Sequence, residues 1–179
     1  MKLNRRFFYV LFLTSFALFF VDFFIKQWTV HSLYSPRLVF ETPFGIDFLL
    51  QKVTNRGAAW GMFSAYHDIL LGFRVGVIGA LLAYILFLCK SRWIAAASML
   101  IMTGAFGNVF DCYYYGYVID MFHFIFWGNS YGVFNFADLL IFVGALGLSL
   151  TLFIKEKEKG KGRAEKKEKG PRKSAKKLR

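Results

Sequence analysis

The chain has 179 residues, 56% of them hydrophobic and 20% aromatic, and a formal net charge of +12. The charge is uneven: residues 155–179 hold 13 Lys/Arg against 4 Asp/Glu, whereas the first 154 residues hold 10 against 7. So uncharged a body has no room for a basic nucleic-acid-binding face, and its two cysteines, Cys89 and Cys112, lie in or beside apolar blocks with neither disulfide spacing nor Cys/His neighbours for a metal, which leaves a small integral membrane protein.

A helix that crosses a bilayer needs about 20 mostly apolar residues. Four blocks meet this, at residues 7–28, 69–89, 93–111 and 136–154. The first follows Lys2, Arg5 and Arg6 and has the basic start of a signal peptide. No small-x-small cleavage site follows, and Asp22 and Lys26 continue the helix, so it reads as a retained span. In the next connection, residues 37–41 and 48–53 are rich in β-branched and aromatic residues, with Pro43 and Gly45 between them. That pattern predicts two short strands and a turn on the outer membrane surface. Arg74, one turn into the second span, is accounted for by snorkelling to the interface. Lys90 and Arg92 follow that span. The connection 113–135 has no Lys or Arg and is loaded with Tyr, Phe and Trp127, as suits the outer membrane–water interface. Residues 155–179 are too polar to bury a core and read as a basic tail, disordered or at most transiently helical. The basic flanks put both termini and this tail on the cytoplasmic side. The expected fold class is therefore an all-α membrane protein with four transmembrane helices, its membrane domain covering residues 1–154.

Ionisable groups at membrane depth cost free energy and are candidate functional residues. They are Asp22, Lys26, Arg74, Asp111, Asp120 and Asp138, accompanied by His123, Asn55, Asn108 and Asn135. Asp22 and Lys26 share a helical face, either as a self-neutralising pair or as a brace for a site between helices. Asp120 and Asp138 both fall at the outer boundary, with no Lys or Arg between residues 113 and 154 to neutralise them. Two close carboxylates in a low dielectric cannot both ionise easily, so one holds a proton. That supplies the acid and the base for adding water to a peptide carbonyl. The simpler reading is two unrelated interfacial acids, with Asp138 suiting a helix N-terminus. No G-x-S-x-G, Cys/His arrangement or P-loop occurs. A small proton- or cation-conducting transporter using the same carboxylates, or an adaptor acting through the basic tail, are the alternatives.

Four segments, in order, resemble the signature of the bacterial lipoprotein signal peptidases (signal peptidase II). They are Asp22-Phe23-Phe24-Ile25-Lys26; Asn55-Arg56-Gly57-Ala58-Ala59-Trp60-Gly61; Gly104-Ala105-Phe106-Gly107-Asn108-Val109-Phe110-Asp111; and the pair Val118-Ile119-Asp120-Met121-Phe122 with Phe134-Asn135-Phe136-Ala137-Asp138. The resemblance covers roughly residues 15–154. It implies four transmembrane helices with a small extracytoplasmic β-cradle between Arg37 and Val53, and an outer helix or flap within residues 113–131. It implies an intramembrane aspartic endopeptidase of the bacterial inner membrane, multi-pass, without metal or other cofactor and without nucleic-acid partners. The substrates would be prolipoproteins cut before a diacylglyceryl-modified cysteine, in contact with membrane lipids, with globomycin as a candidate inhibitor. Asp120 and Asp138 match the catalytic pair. Asn55, Gly57, Asn108, Asp111, Asn135, Ala137, Asp22 and Lys26 match residues that bind substrate or support the site. Thr103 and Cys112 stand where the family usually has Gly and Arg, and Trp60 and Met121 where it has Phe. Cysteine lacks the charge and the five donors of arginine.

Overall fold

A computed structural model describes residues 4–57 and 62–169, with side chains described through residue 161. Four helices are long and apolar enough to cross a membrane. The first, α1 (Arg5–Ser32), starts at Asn4, whose side chain accepts from the Arg6 N–H at 3.1 Å. A 3-10 turn at Ser64–Tyr66 leads into α2 (His67–Ala83), which a π turn at Tyr84–Leu88 prolongs. Then come α3 (Arg92–Tyr115) and α4 (Phe136–Lys169). The first, third and fourth contain the spans expected from hydropathy, and the second ends at Leu88, one residue short of its own. Large apolar side chains such as Phe12 (61% exposed), Phe73 (69%) and Phe87 (81%) face outward, an arrangement that acyl chains cover and water does not.

The central helix is α3: half of its most apolar stretch is buried, against 6% for α1 and α2. Its mean hydropathy, 1.5 against 2.2 for the other three, reflects the small and polar residues it turns inward. Small residues let helix backbones approach closely without a hydrophobic driving force between them. A Cβ on Gly104 would collide with the Ala137 carbonyl of α4, and one on Gly107 would lie 2.6 Å from the Asp22 carboxylate. Both glycines therefore set the spacing at which α1, α3 and α4 meet. Elsewhere Phe19 packs on Phe106 and Phe110, with ring centroids 5.2 and 5.5 Å apart.

The sheet at one end is four-stranded and antiparallel, in the order β1 (Arg37–Glu41), β2 (Ile46–Asn55), β3 (Val118–Phe126), β4 (Asn129–Ser130). The first two strands lie where β-branched and aromatic residues predicted them. Gly45, at φ +75° in their turn, accepts the Trp127 N–H and so joins the tips of the two hairpins. The other half of the sheet corrects one alternative of the expected outer helix or flap within residues 113–131: residues 118–130 form a hairpin, not a helix. Six of the nine residues of Val118–Phe126 are β-branched or Phe, types that fit a pleated half-buried surface, and the strand pairs with β2 along its length. In the tail, residues 155–169 continue α4, the helical alternative of the two; Lys and Glu are good helix formers, and their alternation sets opposite charges at i,i+3. The rest of the tail, 170–179, and the Ala58–Gly61 part of the second motif lie outside the described residues.

Candidate active site

The site forms where β3 and the start of α4 meet α3. Phe122 and Phe134 exchange backbone hydrogen bonds of 2.8 and 3.0 Å, which fixes the chain entering α4 beside β3. Asn135 and Asp138 then close the helix end on each other. The Asn135 side-chain oxygen accepts from the Asp138 N–H at 2.9 Å, and the Asp138 carboxylate accepts from the Asn135 N–H at 3.2 Å. This is a capping box, with Asp where Glu or Gln is usual, and it suits an anion to the helix N-terminus. Capping uses only Oδ2 of Asp138. Its Oδ1 accepts from Asn108 Nδ2 of α3 at 2.8 Å.

Asp120 sits opposite Val53 in the sheet and is 2% exposed. Its Oδ1 accepts from Asn135 Nδ2 at 2.7 Å and its Oδ2 from Asn55 Nδ2 at 3.1 Å. Asn55 is held in turn by the Gly57 N–H, which donates to its Oδ1 at 2.8 Å. Asn135 therefore bonds both acids at once. Asp120 and Asp138 line one cavity of about 480 Å³, together with Asn55, Asn108 and Arg74. Burial pushes the Asp120 carboxyl up from its ordinary value to about 6, and the charge of Asp138 adds to the rise. The amide hydrogen bonds from Asn55 and Asn135 and the charge of Lys26 oppose it.

Behind this pair lies a buried charge cluster. Lys26 Nζ, 1% exposed, is 2.7 Å from Asp22 Oδ2 and 2.7 Å from Asp111 Oδ2, and donates to Asn108 Oδ1 at 3.2 Å. An ammonium has three donors, and all are used. Asp22 Oδ1 accepts the Ala137 N–H at 2.9 Å, and Asp111 Oδ2 accepts the Ile119 N–H at 3.3 Å. The self-neutralising pair and the brace between helices are thus one device: Asp22 and Lys26 neutralise each other, Asp22 holds α4, Lys26 holds α3, and through Lys26 they join Asp111, which holds β3. The structure brings together Asp22, Lys26, Asn55, Gly57, Asn108, Asp111, Asp120, Asn135 and Asp138, and Ala137 by its backbone N–H.

One residue of the cavity is a candidate that the sequence reading set aside as an interfacial anchor. Arg74 is half-buried, and instead of only reaching the interface it donates from Nη2 to the Gly57 carbonyl at 2.9 Å. Its Nη1 reaches Cys112 Sγ at 3.5 Å, so α2 places a guanidinium against the cysteine of α3. The signal was a charge in an apolar span without an acid on the same helix face, which snorkelling explained too readily. His123, by contrast, is within hydrogen-bond distance of Gln51 (3.1 Å) and Ser130 (2.7 Å), and ties β2, β3 and β4 together outside the cavity.

A family model described as signal peptidase (SPase) II matches residues 14–154. A lipoprotein signal peptidase of Clostridium acetobutylicum is 33% identical over 138 residues, covering 75% of this chain and 88% of that protein. One of Chlamydia muridarum is 36% identical over 143 residues, covering 75% and 86%. In fold, the chain is similar to a solved bacterial membrane enzyme, with a TM-score of 0.74 at 20% identity, over 84% of this chain and 91% of that one.

Proposed function

Because this chain belongs to the signal peptidase II family, we propose that it removes signal peptides from bacterial prolipoproteins by aspartic hydrolysis, with Asp120 and Asp138 as the catalytic pair. The family and the four apolar helices make it a multi-pass bacterial membrane protein and a protease. The observation that carries the aspartic reading is the placement of two carboxylates on one cavity, both bonded to Asn135.

The chemistry needs one carboxylate and one carboxylic acid. Burial and the Asp138 charge favour Asp120 as the member that carries the shared proton, although the pair titrates as a unit. The ionised carboxylate takes a proton from water as the water oxygen bonds to the scissile carbonyl carbon. The other carboxyl gives its proton to the carbonyl oxygen, forming a neutral gem-diol. As the C–N bond breaks, the leaving nitrogen takes a proton from the first carboxyl. The gem-diol hydroxyl returns one to the second, leaving a carboxylic acid and an amine. Asn108 and Asn135 hold the two carboxylates in the required orientation throughout, so little reorganisation accompanies the reaction.

The substrate is a prolipoprotein whose cysteine carries a diacylglyceryl group, cut just before that cysteine. Its acyl chains stay in lipid and fix the scissile bond against the pair, a positioning effect. Asn55, Gly57, Asn108, Asp111, Asn135, Ala137, Asp22 and Lys26 shape and brace the site. The protein resides in the inner membrane with both termini cytoplasmic, and globomycin is a candidate inhibitor. The test is cleavage of a lipidated prolipoprotein by purified Asp120→Asn and Asp138→Asn proteins. Each is expected to lose roughly 10²–10⁴-fold or more in turnover, and near-normal turnover in either removes the pair.

A further inference from the structure

Among the described residues lining the 480 Å³ cavity, Arg74 is the one basic side chain. No other Lys, Arg, Asp or Glu lies between Ile69 and Leu88. The ion pairs of the described residues are those of Lys26 with Asp22 and Asp111, so no carboxylate lies within 4.0 Å of the Arg74 guanidinium. A charge at membrane depth without a counter-charge is costly and marks a functional position. An arginine that only anchors a helix turns its head to water. This one turns to the cavity, onto the Gly57 carbonyl and the Cys112 sulfur. A guanidinium has five N–H donors. These two bonds leave three, with the full positive charge, at the edge of the space over Asp120 and Asp138.

We propose that Arg74 is the substrate-binding cation of this site, its guanidinium clamping a carbonyl oxygen of the substrate against the two carboxylates. The inference rests on the peptidase reading and adds a residue to it. Carbonyl oxygens are what such a substrate offers, in its peptide backbone and in the two esters of the diacylglyceryl group. A fixed cation beside them orients the bond to be cut and favours the negative charge that builds on oxygen during hydrolysis. Position 112 gives an independent handle. Arg74 Nη1 lies 3.5 Å from Cys112 Sγ, so a guanidinium placed at 112 reaches the same region from α3.

The experiment compares full-length wild-type protein with R74Q, R74K, C112R and R74Q/C112R on a synthetic prolipopeptide bearing a diacylglyceryl cysteine. R74Q is expected to lose roughly ten- to a hundredfold in kcat/KM, mostly through KM, the scale of a hydrogen bond to a charged group. R74K recovers part of this, because it keeps the charge without the fork. R74Q/C112R regains about tenfold over R74Q, which a purely structural role of Arg74 would not allow. A second substrate with ether-linked chains lacks the ester carbonyls. A loss in R74Q that persists with it places the clamp on a peptide carbonyl, and one that disappears places it on an ester. An R74Q protein within about twofold of wild type overturns the proposal. So does a loss that C112R leaves untouched, since Arg74 then only braces the chain after β2. A wild-type protein that cuts neither substrate overturns the peptidase reading and the clamp with it.

Discussion

Asn135 carries two duties on one side chain, and the logic of the site follows from that. Its oxygen caps α4 through the Asp138 N–H, while its nitrogen donates to Asp120 and to Asn108. An Asp in this place could cap but not donate to a carboxylate. The second consequence at this scale is the titration of Asp120, raised to about 6 by burial first and by the Asp138 charge second. Asp138→Asn removes the second cause and leaves the first. Asp120 should then titrate below 6 and still above its ordinary 3.8, measured from the carboxyl stretch in infrared difference spectra. The sign for stability follows by linkage: a raised carboxyl pKa means the fold favours the protonated form. That contribution is complete below pH 3.8 and is lost as pH rises through about 6. The thermal unfolding temperature in detergent should therefore fall as pH rises across this window, and Asp120→Asn should remove that part of the slope.

At the scale of elements, the buried charge cluster joins four segments that have little else in common. Lys26 and Asp22 belong to α1 and Asp111 to α3; Asp22 fastens the N-terminus of α4 at Ala137, and Asp111 the start of β3 at Ile119. Buried ion pairs add little net stability over apolar packing, but removing one partner strands the others. Lys26→Met should therefore destabilise the protein by about 3–5 kcal/mol, read as a fall in thermal unfolding temperature. The triple variant with Asp22→Asn and Asp111→Asn should recover much of the loss. The elements themselves were unequally legible. Helices α1 to α4 could be read because a bilayer permits few ways to satisfy a backbone, and β1 and β2 because their composition is local. Strand β3 escaped because its partner, β2, lies more than sixty residues earlier, and no local pattern distinguishes a strand from an aromatic interfacial loop.

On the scale of the whole molecule, charge and chemistry separate along α4. Lys155 lies 17 residues beyond Asp138 on one helix, about 26 Å along its axis. Deleting residues 155–179 should therefore leave cleavage of a lipidated prolipoprotein within about twofold of wild type, whereas an adaptor acting through the tail would lose its function. The four spans, the basic flanks and two acids at one end of the spans were set by the sequence alone. They depend on one-dimensional quantities: the run of apolar residues a bilayer demands, the side on which Lys and Arg fall, and the cost of an ion in lipid. Four short motifs also identified the residues that would gather. Their distances, and the partner of each oxygen, belong to the tertiary structure. Only folding brings Asn55 to Asp120 across a sheet, Asn108 to Asp138 across a helix pair, and Arg74 from α2 to the cavity they share. Arg74 shows the reason most plainly. As a letter in an apolar span it fits an anchor, and its role depends on which carbonyl and which cavity the packing of α2 on α3 sets before it.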